Sequence, residues 1–242
     1  MSKHRFRFIG QKYDDGSWHL SAEDAKHCQK VLRLEPGEHI ELTDGKGRWA
    51  QAEINALSGK TIDLNIVAEH EDSVKKNRTS LILGALKPSS FDDILPGIVE
   101  IGIDDIHLFI AGQSEKKRLS EKLTERWQRI ILSAVKQSKR SWVPTLSCHK
   151  DLSTCLKEVK PSGNCYLLHP SANTHLIKAP YHSNQSTYLF IGNEHGLNEV
   201  EIAMLHEIGC KDVHIGGHIL RATTACLAAS STALSLPFLS EN

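Results

Sequence analysis

Two short glycine-rich stretches hold the residue types most able to do chemistry. Ile191-Gly192-Asn193-Glu194-His195-Gly196 follows the apolar run Tyr188–Ile191, and Ile215-Gly216-Gly217-His218-Ile219-Leu220-Arg221 follows Asp212–Ile215. Glycine loops at the ends of successive strands are where an open α/β sheet binds a ligand, because glycine takes positive φ and lets a ligand approach the backbone. The first stretch is not G-x-G-x-x-G and has no phosphate-loop lysine, so neither common nucleotide fingerprint is present. Its carboxylate, Glu194, can accept hydrogen bonds from a ligand or from neighbouring amides. The second stretch opens a final helix whose N-terminus favours negative charge. Arg221 stands there as a fixed cation or as a salt-bridge partner. His195 and His218 add imidazoles, which accept protons near neutral pH.

The elements that must position these groups alternate between strand and helix from Ser80 onward. Leu81–Leu86 is a continuous apolar run, as in a strand buried on both faces. Phe91–Ile101 has helical spacing, with Pro96-Gly97 expected to kink or fray it. Ile106–Ile110 reads as a strand, and Leu119–Gln137 as a long amphipathic helix with Leu123, Trp127, Ile130, Ile131 and Ala134 on one face. Leu152–Val159 is a shorter helix, and Cys165–Leu168 a strand that runs into His169-Pro170. Asn198 reads as an N-cap with Glu201 at the third helical position. That helix stops at Gly209, and Arg221–Leu234 is a small, apolar helix able to pack closely.

Residues 1–72 are β-rich instead. Arg5–Ile9 alternates basic and apolar residues, and Asp24–Leu32 forms a short helix ending before Pro36-Gly37. Glu38–Leu42 and Arg48–Ile54 flank an Asp44-Gly45 turn, a hairpin signal, and Thr61–Val67 alternates cleanly. Short strands at this spacing fit a small barrel. Glu69–Thr79 is polar and aperiodic, which places a linker at 73–79 and a second domain at 80–242.

With 242 residues, 40% hydrophobic and 24% charged, the composition is that of a globular chain with a substantial core. No apolar run approaches the roughly 20 residues of a membrane helix, and the basic N-terminus has no apolar signal core behind it. No membrane partner and a cytoplasmic location are therefore expected. Six scattered cysteines without a C-x-x-C pair point to buried free thiols. The 14 histidines form no H-E-x-x-H, and no metal is assigned. Net charge is zero, but Lys116, Lys117, Arg118, Lys122, Arg126, Arg129, Lys136, Lys139 and Arg140 gather in one window. That window reads as a solvated helix face or as an anion-facing surface.

The order of motifs then becomes specific. Leu168-His169-Pro170, the I-G-x-E-x-G-L-x-x-x-E-I pattern of Ile191–Ile202 and the I-G-x-x-I-L-R-x-x-T-A pattern of Ile215–Ala225 resemble the bacterial ribosomal RNA small subunit methyltransferase E family of the SPOUT superfamily. Further matches are His27 with Val31-Leu32-Arg33-Leu34, Glu100–Ile103, Arg126-Trp127, and Gln137-Ser138 with Arg140. The resemblance implies an α/β fold: a small N-terminal PUA-like β-barrel that holds RNA, then a C-terminal trefoil-knotted methyltransferase domain. It implies S-adenosyl-L-methionine as cofactor, held by Leu168, His169, Pro170, Ile191, Gly192, Asn193, Glu194, Gly196, Ile215, Gly216, Leu220 and Thr224. It implies a homodimer acting on the small ribosomal subunit, methylating N3 of uridine 1498 in 16S rRNA. Arg221 is the expected catalytic residue, and Arg5, Arg7, Arg33, Arg126 and Arg140 the expected RNA contacts.

The chain departs from the family pattern around the same loops. Asn193 and His195 replace a proline and a glycine, and Gly217-His218 replace proline and arginine. Thr223 stands where a carboxylate is usual, Pro96-Gly97 where a Gln-Lys pair is usual, and Lys136 where glutamate is usual. Two further readings therefore stay open beside uridine N3-methylation. One is a same-fold RNA methyltransferase with another target nucleotide, and the other is a catalytically silent RNA- or ribosome-binding paralogue.

Overall fold

The computed structural model describes residues 6–59, 61–112 and 119–239. It divides into two compact units. The first holds residues up to Val74 together with Leu132–Val143, and the second Lys75–Ile131 with Pro144 onward.

In the first unit the chain forms β1 (Arg7–Lys12), β2 (Trp18–Leu20), α1 (Ala22–Lys30), β3 (His39–Thr43), β4 (Arg48–Ser58) and β5 (Thr61–Glu71). The sheet order is β2-β1-β3-β4-β5, with β1 parallel to β3 and the other pairs antiparallel. Alternation along the strands puts Phe8, Trp18, Ile40, Leu42, Ala50, Ala52 and Ile54 inside, with Cys28 of α1 packed on them. Register shifts in the β4–β5 pair bend the sheet. The two edges meet through Glu69 of β5, which accepts from Trp18 Nε1 at 2.6 Å and Lys12 Nζ at 2.7 Å. The barrel is thus nearly closed. Glu69–Glu71, which look aperiodic in sequence, belong to β5 because Glu69 makes this closure.

In the second unit come β6 (Thr79–Gly84), α2 (Pro88–Ile101), β7 (Asp105–Phe109), β8 (Thr145–His149), α4 (Leu152–Val159), β9 (Asn164–Leu168), a 3₁₀ turn (Leu176–Lys178), β10 (Thr187–Ile191), α5 (Glu199–Glu207), β11 (Lys211–Val213) and α6 (Ala222–Leu239). Helix α3 (Glu121–Ser138) precedes β8 and contributes to both units. All six strands are parallel in the order β11-β9-β10-β6-β7-β8. The chain therefore leaves a gap beside β6 when it lays down β9, fills it with β10, and then crosses to the far edge of β9. Every residue of β6 is buried, as its continuous apolar run requires. On one face Ile82, Phe109, Leu167 and Phe190 pack with Leu152 and Leu205 of α4 and α5. On the other, α2 and α6 pack against one another, and α6 lies on β6 and β10.

Several local expectations change. Helix α2 runs unbroken from Pro88 to Ile101 with Pro96 inside it, since packing on both sides outweighs the one lost hydrogen bond. Gly97 allows close approach to α6: a Cβ there would meet Leu227 Cδ2 at 2.9 Å. Lys136 pairs with Asp24 of α1 at 3.1 Å, a partner that a glutamate would repel. Cys148 is exposed; the other five cysteines are buried and free. Burial pushes the thiols of Cys28, Cys155 and Cys226 up to about 12. Helix α6 is itself long and apolar enough to cross a membrane by length and composition, which corrects the reading of the sequence as free of such runs. In the fold it is a packing helix, laid on α2, β6, β10 and the 3₁₀ turn.

Candidate functional site

Because β11, β9 and β10 are adjacent and parallel, their C-terminal ends share one edge of the sheet. Leu168-His169-Pro170 leaves β9, the first glycine loop leaves β10, and the second leaves β11. With Lys87 and Ser90 from the start of α2 and Leu220–Thr223 and Ala225 at the start of α6, they enclose a cavity of about 640 Å³. Of the residues expected to hold a cofactor, Leu168, His169, Pro170, Ile191, Gly192, Asn193, Glu194, Gly196, Ile215, Gly216 and Leu220 all line it, and so does Arg221. Thr224 is exposed and off this wall; Thr223 is on it.

The first loop is built against itself. Asn193 is buried and its Oδ1 accepts the His195 N–H at 2.8 Å, while its carbonyl accepts the Gly196 N–H at 3.0 Å. Gly196 has φ +81°, and a Cβ on Gly192 would lie 2.6 Å from the Gly196 carbonyl carbon. A Cβ on Gly84, at the end of β6, would lie 2.7 Å from the Asn193 nitrogen. Glu194 takes the backbone role rather than leaving both oxygens to a ligand: Oε1 accepts the Lys87 N–H at 2.9 Å, at the N-cap of α2. Behind the loop, Asn198 and Glu201 form the expected capping box of α5, and Gly209 ends that helix at φ +83°.

The second loop is held from below. His214 N–H donates to Thr174 and its carbonyl accepts from Leu176. The His175 ring is 2.6 Å from the Ile215 carbonyl through Nε2, and His214 Nδ1 is 3.1 Å from the Gly216 carbonyl. His169 N–H donates to Val213, which ties the β9 segment to the same framework. Gly216 and Gly217 lie outside the positive-φ region, and a Cβ on either would meet nothing within 4 Å. The positive φ expected of these glycines is confined to Gly196. Arg221 caps α6 through its carbonyl, which accepts the Ala225 N–H at 2.9 Å. The first turn of α6 carries no acidic residue. The charged wall of the cavity thus consists of Lys87, Arg221 and Glu194.

Lys87, Ser90 and His214 line the cavity without having been singled out in the sequence. Lys87 and Ser90 carried a usable signal, since they follow directly on the buried run Leu81–Leu86.

The arginines expected to meet RNA fare unequally. Arg7 is buried: its guanidinium holds Glu41 at 3.0 Å, donates to the Lys139 carbonyl and lies 4.8 Å from the Trp49 ring centre. On the strand face opposite Phe8 it forms a buried structural ion pair, and that burial takes it off any RNA-facing surface. Lys139 adds a second cation to Glu41 at 3.2 Å. Arg33 is exposed with φ 53° just after α1. Arg126 pairs with Asp92 at 2.7 Å and stays half exposed. Arg140 is half-buried. Arg5, and Lys116, Lys117 and Arg118 of the basic window, lie outside the described residues.

Comparison with known proteins fits this geometry. Residues 73–234 match the model of an RNA methyltransferase domain, and residues 20–67 that of an RNA methyltransferase PUA domain. The ribosomal RNA small subunit methyltransferase E of Synechocystis is 28% identical over 85% of this chain and 69% of its own length. The Mesomycoplasma hyopneumoniae protein of the same name is 30% identical over 63% of this chain and 67% of its own. The crystal structure of that methyltransferase from Neisseria gonorrhoeae, bound to S-adenosyl methionine, superposes with a TM-score of 0.82 at 27% identity, covering 97% of this chain and 98% of the other. A nearly closed PUA-type barrel, a doubly covered parallel sheet of SPOUT type and a cavity at three strand ends agree with these matches, and the chain belongs to the ribosomal RNA small subunit methyltransferase E family.

Proposed function

We propose that this protein transfers a methyl group from S-adenosyl-L-methionine to N3 of a uridine in 16S rRNA, at the position equivalent to 1498, and works as a homodimer on the small ribosomal subunit. The observation that carries the reading is the convergence of the β9, β10 and β11 loops with Arg221 on one cavity of about 640 Å³. That volume suits a cofactor-sized ligand, and its walls combine apolar side chains with a few polar groups. The β9, β10 and β11 loops would hold the cofactor and the open side near Arg221 and Lys87 would receive the base. The chemistry asks for in-line placement of the sulfonium methyl and N3, which is a positioning task. Charge develops on O2 and O4 as N3 loses its proton, and the Arg221 guanidinium on the cavity wall would stabilise it. Phe238 and Leu239, exposed at 73% and 50% at the end of α6, supply apolar surface for a second copy. Arg33, Arg126 and Arg140 remain the candidate RNA contacts.

A second reading, methylation of another nucleotide, is favoured by one feature: Thr223 lines the wall and the first turn of α6 holds no acidic residue, where the resemblance implies a carboxylate. The test is calorimetric titration with S-adenosyl-L-methionine, followed by mass mapping of 16S rRNA after incubation with small subunits. One site per chain and a methyl group on the N3 edge of the expected uridine support the proposal. Methyl transfer elsewhere favours the second reading, and no cofactor binding at millimolar ligand removes both.

A further inference from the structure

The reaction proposed above needs a proton acceptor, because uracil N3 carries a hydrogen that must leave as the N–CH3 bond forms. The cavity wall limits the choice. Its titratable groups are Lys87 at the start of α2, His169 after β9, Glu194 and His195 in the first loop, His214 and His218 after β11, and Arg221 before α6. Lys87 and Arg221 are cations in their common forms and accept nothing. The Glu194 carboxylate gives Oε1 to the Lys87 amide and is anchored on the α2 side of the cavity. His169 Nδ1 accepts the Ser171 N–H at 3.3 Å, which leaves Nε2 of its neutral ring a donor. His214 donates Nδ1–H to the Gly216 carbonyl and keeps Nε2 as an acceptor, but it is half-buried and stands seven residues before Arg221. Two exposed imidazoles remain, His195 and His218, neither with a side-chain partner among the described residues.

Position separates the two. His195 is held through its own backbone N–H by Asn193 and adjoins Glu194, which is tied to α2. Its backbone is thus anchored on the α2 side of the cavity. His218 lies in the segment that leads into Arg221, three residues before it, so the two Cα atoms are at most about 11 Å apart however the chain bends. A base that accepts from N3 while a guanidinium holds O2 or O4 must serve neighbouring atoms of one ring. The segment Gly217–Arg221 supplies both groups from one short piece of chain.

Resting on the uridine N3 reading, we infer that His218 is the general base and Arg221 its electrostatic partner. The neutral imidazole nitrogen takes the N3 proton. The N3 electron pair forms the bond to the methyl carbon, and the carbon–sulfur bond breaks with its pair going to sulfur, which turns the sulfonium into a thioether. The imidazolium then gives its proton to water. An imidazole suits this task because its neutral form is plentiful near neutral pH. It would take over the base function in a site whose first α6 turn has Thr223 and no carboxylate.

The test compares the wild-type protein with His218→Ala and His195→Ala in single-turnover methylation of 16S rRNA across pH 5.5 to 9, with added imidazole as a second variable. The expected result is a loss of about 100-fold or more in rate for His218→Ala, in the range of general-base catalysis. Its acid-side limb should flatten, and turnover should recover in proportion to neutral imidazole. S-Adenosyl-L-methionine titration of each variant reports whether the cavity is intact independently of turnover. Wild-type turnover with a His218→Ala profile that is unchanged overturns the assignment, as does loss and rescue confined to His195→Ala. A wild-type protein that binds cofactor but transfers no methyl group to uridine N3 overturns the parent reading and this one with it.

Discussion

The two glycine loops look alike in sequence and differ in physics. In the first, glycine serves the protein's own backbone: Gly192 leaves room for Gly196, Gly84 leaves room for Asn193, and Gly196 takes the left-handed φ of +81°. In the second, Gly216 and Gly217 have ordinary φ and open space where a side chain would be. Among the described residues no packing contact calls for glycine there. The difference assigns separate jobs. The first loop is a rigid wall, fixed by hydrogen bonds that Asn193 and Glu194 accept. The second is an approach surface that keeps the cavity open in front of Arg221.

The largest effect expected from this division is chemical and lies at the end of the second loop. Arg221→Ala should lower the methylation rate about 100- to 1,000-fold, the usual loss when a fixed donor to a developing oxyanion is removed. Its melting temperature should stay within a degree or two, because Arg221 caps α6 through its backbone carbonyl and not its side chain. A large drop in melting temperature would make Arg221 a structural residue and break the comparison. Next comes Gly192→Ala in the first loop. Its Cβ would lie 2.6 Å from the Gly196 carbonyl carbon and 2.9 Å from the Leu197 nitrogen. Both neighbours are backbone and cannot swing aside, so urea denaturation should show a loss of about 1–3 kcal/mol, the range for overpacking. Cofactor binding should weaken in parallel. A smaller loss, about 1 kcal/mol, is expected for Asn193→Ala, which frees one buried-side hydrogen bond to His195 N–H. If Asn193→Ala leaves stability untouched while cofactor affinity falls, the residue serves ligand and not loop.

How much of this was legible without coordinates follows from the same contrast. Alternating and continuous apolar runs mark β6, β9 and β10 because burial on one or two faces is written in the side chains themselves. The Asn198–Glu201 box marks the start of α5 for the same reason, being local. What stays hidden depends on neighbours distant in the chain. Pro96 reads as a helix breaker, yet α2 continues because α6 and Trp127 of α3 pack on it, and Gly97 is explained only by Leu227. Arg7 reads as a wet-face cation until Glu41, Lys139 and Trp49 close around it. The two glycine loops could be found from spacing, but which one glycine's missing Cβ serves could not.

Gly217→Ala is the subtlest way to sharpen the difference, since its two readouts should move in opposite directions. A Cβ at this position meets no atom within 4 Å, and the backbone lies outside the positive-φ region. Alanine therefore fits the folded loop without strain. It also restricts the unfolded chain, so the variant should be more stable by about 0.4–1 kcal/mol, the usual gain at a compatible site. Arg221 and His218 remain in place, yet the added methyl group stands on the face where a ligand must approach. S-Adenosyl-L-methionine affinity or the rate on RNA should accordingly fall while the urea midpoint rises. The same change at Gly192 should lower both. Should Gly217→Ala also lower both, the second loop is packed as tightly as the first in solution, and the two loops share one job. Stability and function rising together would mean that glycine at 217 has no ligand-facing role.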